Sequence, residues 1–279
     1  MTAVVEPGRS RYRTPDGSAS TDEWTEVAEE WLKRAPQSLW RRHSDAVNSI
    51  LLERWLPRGI IGRILKTDLF DEAVAGGLFP SLSRHARSVV ALDISATVSK
   101  AATVKYPKLG ALAADVRSLP AQTESFDAVV SLSTLDHFGA EQDISTALAE
   151  LHRVLRPGGT LILTLDNASN PVVAARNRLP YALTHAVGLV PYPVGKTLTA
   201  EKATAAAVNA GFKVLQCTAI MHAPRVLVIP LMNYVDRSGN SRRRASLLAS
   251  AMRFEALEKL PTRFLSGHFI AIHATKPPA

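Results

Sequence analysis

Between residues 60 and 165 the chain repeats one unit. A short apolar run, rich in Val, Ile and Leu, ends in a polar or acidic residue and is followed by a helix-forming stretch. The runs are 60–67, 88–92, 111–114, 128–130 and 160–165. Residues 96–105 have helical character, and Ile144, Leu148, Leu151 and Leu155 mark one face of another helix. Arg156-Pro157-Gly158-Gly159 reads as its stop and a tight turn. Alternating strands and helices are the pattern of a parallel, doubly wound α/β sheet. Two further runs follow, 212–220 after a helix at 199–210 closed by Gly211, and 268–275, whose alternation suggests an edge strand.

In such sheets a ligand sits beyond the carboxyl ends of the strands, where the strand order reverses. The ends therefore matter more than the runs. The fourth run passes through Ser131-Leu132-Ser133-Thr134 into Leu135-Asp136-His137-Phe138. The second ends in Asp93-Ile94-Ser95, the third in Asp115-Val116 and the fifth in Asp166-Asn167. An acid after the second strand can accept two hydrogen bonds from ribose hydroxyls. The same residues could also form ordinary turns and caps.

The flanks are less regular. Residues 1–19 read as a disordered tail, and 20–57 as a helical cap in which Ser20 and Glu23 fit a capping box. Trp24, Val27, Ala28, Trp31 and Leu32 share a face there, and Trp40 and Trp55 follow. These helices either pack on the sheet or form a lid over a ligand. The domain proper is expected at 58–279, with insertions at 168–198 and 221–266, the latter holding a helix over about 244–260. The apolar stretch 181–190 lacks a basic face, which favours a substrate-side element over a membrane-surface one. No run approaches the ~20 apolar residues of a membrane span. Cys217 is the single cysteine, which excludes an intrachain disulfide and a cysteine-built metal site; both facts favour the cytoplasm. The net charge of +8 permits nucleic acid as a partner, but the one dense basic cluster, Arg242 to Arg244, has no interleaved aromatics, so a solvated surface is the simpler reading.

Four segments in the right order and spacing resemble the class I S-adenosylmethionine-dependent methyltransferases, in particular the branch acting on small metabolites and quinones. They are Ala114 to Pro120, Ser125 to Val130, Leu135-Asp136-His137-Phe138 and Glu150 to Gly159. The resemblance implies a Rossmann-like, seven-stranded sheet, parallel but for one antiparallel strand, and S-adenosylmethionine as cofactor. It implies that Asp93 holds the ribose, with Ser95 beside it, and that Ile94 packs on the adenine. Asp115 and the Val116 amide would bind the adenine edge, and Ser131 and Leu132 would line the cofactor. One feature departs from the family. The first strand should run into a glycine-rich loop, where the bare backbone can approach the cofactor's amino acid end. Here Lys66-Thr67-Asp68-Leu69-Phe70-Asp71-Glu72-Ala73 has no glycine. Either the cofactor sits a little differently against this stretch, Phe70 included, or Asp68, Asp71 or Glu72 hold its ammonium, or binding is impaired.

Methyl transfer asks the protein mainly to orient a nucleophile roughly 3 Å from the methyl carbon and to exclude water. Where the acceptor must lose a proton, His137 is the candidate base, unless it is structural; His222 and Arg225, just past the sixth strand, could take a catalytic part by reaching a substrate carboxylate or hydroxyl. The expected activity is methyl transfer to a hydroxyl or other nucleophile of a small, largely apolar metabolite. The alternatives are an RNA or protein methyltransferase, and a protein of this fold that binds its ligand without transferring methyl.

Overall fold

The computed structural model describes residues 21–34, 38–179 and 194–278. The tail, the Ser20 end of the expected capping box and the stretch 181–190 lie outside them. One seven-stranded sheet forms the middle layer, built from β1 (Ile61–Lys66), β2 (Ala86–Asp93), β3 (Gly110–Ala113), β4 (Phe126–Leu132), β5 (Leu155–Asp166), β6 (Lys213–Ile220) and β7 (Phe269–Thr275). Their order is β3-β2-β1-β4-β5-β7-β6, and only β7 runs antiparallel to its neighbours.

Residues of a strand alternate between faces, and this alternation divides the core in two. Ile64, Val130, Ile162 and Ala271 face one layer of helices: α1 (Thr21–Arg34), α2 (Ser38–Trp55), α3 (Phe70–Val74), α4 (Phe79–Leu82) and α5 (Ala96–Lys105). Leu65, Val129, Leu161, Leu163, Ile270 and Ile272 face the other, where α6 (Glu141–Val154) contributes Ile144, Leu148 and Leu151. The remaining helices are α7 (Pro171–Arg178), α8 (Ala200–Asn209), α9 (Arg225–Arg237), α10 (Ser241–Arg253) and α11 (Arg263–Ser266). Of these, α8 joins α6, and α9 and α10 join the first layer through Val228, Met232 and Ala251.

Three expectations change. β7 is interior, not an edge, because β6 pairs on its far side. Ala271 and Ala274, both fully buried, are small residues where a two-sided buried strand needs no polar face, and they mimic an alternating edge. The Arg156-Pro157-Gly158-Gly159 turn does end α6, but it stays inside β5 as a bulge opposite Asp127, with Arg156 Nη1 donating to Asp127 Oδ1 at 2.6 Å. Finally, the segment 221–266 holds two long helices rather than one. Pro230 sits inside α9 and disguises it as a break.

Candidate active site

A cavity of about 1060 Å³ opens over the carboxyl ends of β1, β2, β4 and β5. It lies at the topological switch point, where β1 has β2 on one side and β4 on the other.

At β1, Lys66 is the residue the sequence reading passed over. Its side chain is buried, yet its ammonium meets three acceptors: Asp68 O at 2.5 Å, Asp68 Oδ2 at 2.8 Å and Glu72 Oε2 at 2.8 Å. Those carboxylates hold it charged despite burial. Glu72 is fully buried, is not among the cavity-lining residues, and takes the Leu78 and Phe79 amides at 2.8 and 3.1 Å. The expectation that Glu72 contacts the cofactor is therefore corrected: Lys66 and the start of α4 consume its oxygens. Asp71 lines the cavity but is ion-paired with Arg41, whose guanidinium lies 4.3 Å from the Trp31 ring centre and 5.2 Å from that of Phe70. Asp68 remains, with Oδ1 accepting the Phe70 amide at 2.8 Å.

At β2, Asp93 accepts the Leu69 and Ser95 amides at 3.2 and 2.9 Å and lines the cavity beside Ile94. Burial and the nearby Asp68 carboxylate push its carboxyl up to about 7. Ser95 is fully buried as the N-cap of α5, meeting Thr25 Oγ1 at 2.9 Å, and does not line the cavity. Beyond β3, Asp115 and Val116 line it. Arg117, also missed, donates from its amide to Asp115 Oδ1 at 2.8 Å and from Nη2 to Oδ2 at 2.7 Å.

β4 delivers Leu132 to the cavity but not Ser131, which faces inward and accepts from Thr67 Oγ1 at 2.9 Å. Ser133 then adopts φ 51°, a left-handed conformation rare for a residue with a side chain. The turn aims Ser133, Thr134, Asp136 and His137 into the cavity, and His137 meets the Trp24 ring edge-on at 4.7 Å. Gly195 clasps this turn, its amide donating to Asp136 O at 2.9 Å, with room only for hydrogen: a Cβ there would lie 2.2 Å from Phe138 O.

At β5, Asp166 is buried with Arg176 Nη2 donating to it at 2.6 Å and His268 Nε2 at 3.3 Å; the Arg176 guanidinium holds its carboxyl below the usual carboxylate range despite burial. Arg225 Nη1 meets His268 Nε2 at 2.6 Å and its guanidinium lies 5.4 Å from the Trp40 ring centre. Burial and Arg225 push His268 down to about 4. The expectation that His222 reaches the substrate is corrected: unlike Arg225 it does not line the cavity, and both its ring nitrogens are engaged, Nδ1 with Ser266 Oγ at 2.8 Å and Nε2 with Ala219 O at 2.9 Å. Trp24, Trp31 and Trp40 form part of the wall, whereas Trp55 donates to Gln216 and stacks on His273.

The sequence profile of a family described as "Methyltransferase domain" matches residues 73–163. A "Probable S-adenosylmethionine-dependent methyltransferase" of Mycobacterium tuberculosis is 26% identical over 141 residues, 50% of this chain and 46% of that protein. Residues 73–163 thus match a methyltransferase domain, and the chain is similar to S-adenosylmethionine-dependent methyltransferases. The demethylmenaquinone methyltransferase of Streptomyces avermitilis is 35% identical over 81 residues, 29% of this chain and 34% of that one. The chain thus spans about half the length, or less, of these relatives. Among solved structures, a possible histamine N-methyltransferase of Thermotoga maritima superposes with a TM-score of 0.55 at 17% identity, covering 92% of this chain and 97% of that one. The cyclase SpnF superposes with 0.54 at 18%, covering 84% and 81%. Both share the fold.

The methyltransferase cofactor carries a sulfonium, an ammonium and a carboxylate. The residues present fit it. Asp68 and Asp93 are close enough to raise the proton affinity of Asp93, so a cationic ligand between them relieves their repulsion. Asp93 keeps lone pairs beyond its two amides, as does Asp115 beyond Arg117. Ile94 and Val116 supply apolar walls for a base.

Proposed function

We propose that this chain transfers a methyl group from S-adenosylmethionine to a hydroxyl, or another nucleophile, of a small and largely apolar metabolite. The observation that carries this reading is the size and lining of this cavity. Its volume, about 1060 Å³, is at the top of the ~300–1,000 Å³ range of single-ligand pockets, which leaves room for an acceptor beside a cofactor. Its acidic half lies at β1 and β2, and its other half runs from Asp136 and Asp166 to an apolar wall of Val172, Leu179, Val226 and Ile229. In this reading Asp93 holds the ribose, Ile94 and Val116 flank the adenine, Asp115 takes its amino group and Asp68 holds the ammonium. Trp24, Trp31 and Trp40 exclude water. The cofactor, when bound, supplies an electrophilic methyl group. The likeness to a demethylmenaquinone methyltransferase supports an apolar acceptor.

Calorimetric titration with S-adenosylhomocysteine tests it. Binding with a thermal upshift is expected, since a ligand of the native state stabilises it. No heat and no shift at millimolar ligand would sink it. A second reading, ligand binding in this fold without methyl transfer, is favoured by the glycine-free stretch 66–73 and by the likeness to a cyclase. Tight binding, with no methylated product by mass spectrometry over a broad acceptor panel, would select it. Arg242 to Arg244 are not among the cavity-lining residues, which speaks against a nucleic-acid acceptor.

A further inference from the structure

A helix on the surface of a domain normally keeps one polar face for water. The middle turns of α9 do not. One face gives Val228 and Met232 to the core. A second, with Val226, Pro230, Asn233 and Arg237 at helical spacing, lines the cavity. The third points to solvent and carries Leu227, Leu231 and Tyr234, of which Leu227 and Tyr234 are 69% and 70% exposed. Val172 and Leu179, at α7, are exposed too and line the same cavity. Val226, Tyr234, Val172 and Leu179 are therefore both inner wall and outer surface, an apolar lip at the cavity mouth. Exposed apolar patches of this kind mark where a protein meets an apolar partner.

Charge identifies that partner. α7, α9 and α10 together hold eight arginines, no lysine and one acidic residue, Asp236, so they account for nearly all of the chain's net charge of +8. Asp236 is ion-paired with Arg244, and Arg176 with Asp166. Arg178, Arg237, Arg242 and Arg243 are exposed and make no ion pair among the described residues. Arg242 and Arg243 follow Arg237 across the short link 238–240. We propose that this rim seats the protein on an anionic lipid bilayer. Leu227, Leu231 and Tyr234 enter the boundary between headgroups and acyl chains, and the free arginines lie on the lipid phosphates. Among the described residues no helix is long and apolar enough to cross a membrane, and the seating is peripheral. A bilayer surface rewards apolar burial and positive charge together. A polynucleotide offers phosphates but no apolar layer for Leu227 and Leu231. A second copy of the chain offers an apolar face but sets arginine against arginine. Seated in this way, the cavity mouth opens onto the membrane. Docking of the rim does not require methyl transfer.

The experiment is co-sedimentation of the full chain with vesicles of phosphatidylcholine alone, and of phosphatidylcholine mixed with phosphatidylglycerol. Binding is expected to the mixed vesicles, weakening as salt is raised, with little to the neutral ones. Leu227→Ser with Leu231→Ser should weaken it at least about tenfold. The melting temperature should hold, because neither side chain belongs to the core or to the cavity wall. Arg242→Gln with Arg243→Gln should weaken binding about 30-fold, at roughly 1 kcal/mol for each arginine near an anionic surface. Failure to bind either vesicle would overturn the proposal, as would equal binding to both. Parental binding by the leucine pair would reduce the contact to adsorption by charge and overturn it too. Two further results would reassign the rim. A dimer in sedimentation velocity that the leucine pair breaks, with vesicles ignored, would give it to a second copy. Binding to a single-stranded oligonucleotide that the leucine pair leaves intact, with vesicles ignored, would give it to nucleic acid.

Discussion

Asp93 shows how a single residue links the sequence to the chemistry of the site. Its place after an apolar run marks it in the sequence, and it stands at the end of β2, accepting two amides on the cavity wall. What surrounds it could not be read in advance: Asp68 and Lys66 approach from β1, the first raising and the second lowering its proton affinity. With its carboxyl pushed up to about 7, Asp93 is partly protonated near neutral pH in the free protein. Hydroxyl donors and a cationic ligand favour the carboxylate, so binding expels that proton and weakens as pH falls. The affinity for S-adenosylhomocysteine is expected to drop roughly tenfold between about pH 8 and about pH 6. Asp93→Ala should cost about 1.5–3 kcal/mol of binding and abolish that pH dependence. A parallel slope in the variant, measured by calorimetry across the same range, would assign the proton to another group. Glu72, Ser95, Ser131 and His222 are legible in the sequence as polar residues near strand ends, but which way each side chain turns depends on the partner it finds, close in sequence for Glu72 and Ser95 and 64 and 44 positions away for Ser131 and His222. Lys66 takes Glu72, α5 takes Ser95, Thr67 takes Ser131 and Ser266 takes His222.

Among the elements, the strands reveal themselves best and the connections least. β1, β2, β4 and β5 are apparent from their apolar runs because a strand buried on both faces must be apolar throughout, whereas β3 is a short, largely exposed edge strand. The position of β7 between β5 and β6 is set by pairing, which local periodicity does not encode. α9 was hidden by Pro230, although Arg225 at its start, which lines the cavity, was already a candidate for reaching the substrate. The clasp at Gly195 depends on contact with a turn 57 to 59 positions earlier, so its glycine looked like one more loop residue. Gly195→Ala tests its role. A Cβ overlapping Phe138 O must push the 135–138 turn aside, so a fall in melting temperature of several degrees is expected, the effect of a destabilisation of about 1–3 kcal/mol. The same variant should lose most of its acceptor affinity while binding S-adenosylhomocysteine nearly as well as the parent. Unchanged stability and acceptor binding would mean that the clasp is incidental.

For the molecule as a whole, the alternation between residues 60 and 165 was enough to specify the sheet and the edge that carries the site. The tryptophans at 24, 31 and 40 pointed to a roof. The segments after Asn167 and Met221 were expected to close it with them, but which residues meet was beyond reach, because the pairs join opposite ends of the chain. Ser38 donates to Asp236, Arg54 Nη1 pairs with Glu258 at 2.8 Å, and Arg225 faces the Trp40 ring. These partners are separated by 198 and 204 residues in the first two cases, so they meet only when nearly the whole sheet is in place. Contacts between such distant positions form slowly, because chain entropy must be spent before they repay it. A ribosome would release α1 and α2 long before α9 and α10 exist for them to rest upon. During refolding, amides of β1, β4 and β5 should therefore gain protection from hydrogen exchange before those of α2, and Arg54→Ala with Ser38→Ala should delay α2 further without slowing the sheet. Simultaneous protection of α2 and β4 in pulse-labelled refolding would contradict this. The first helices to be synthesised would then be the last to lock, and a chain stalled short of α9 would own β1 to β5, still without the β7 on which β6 rests, and no ceiling over them.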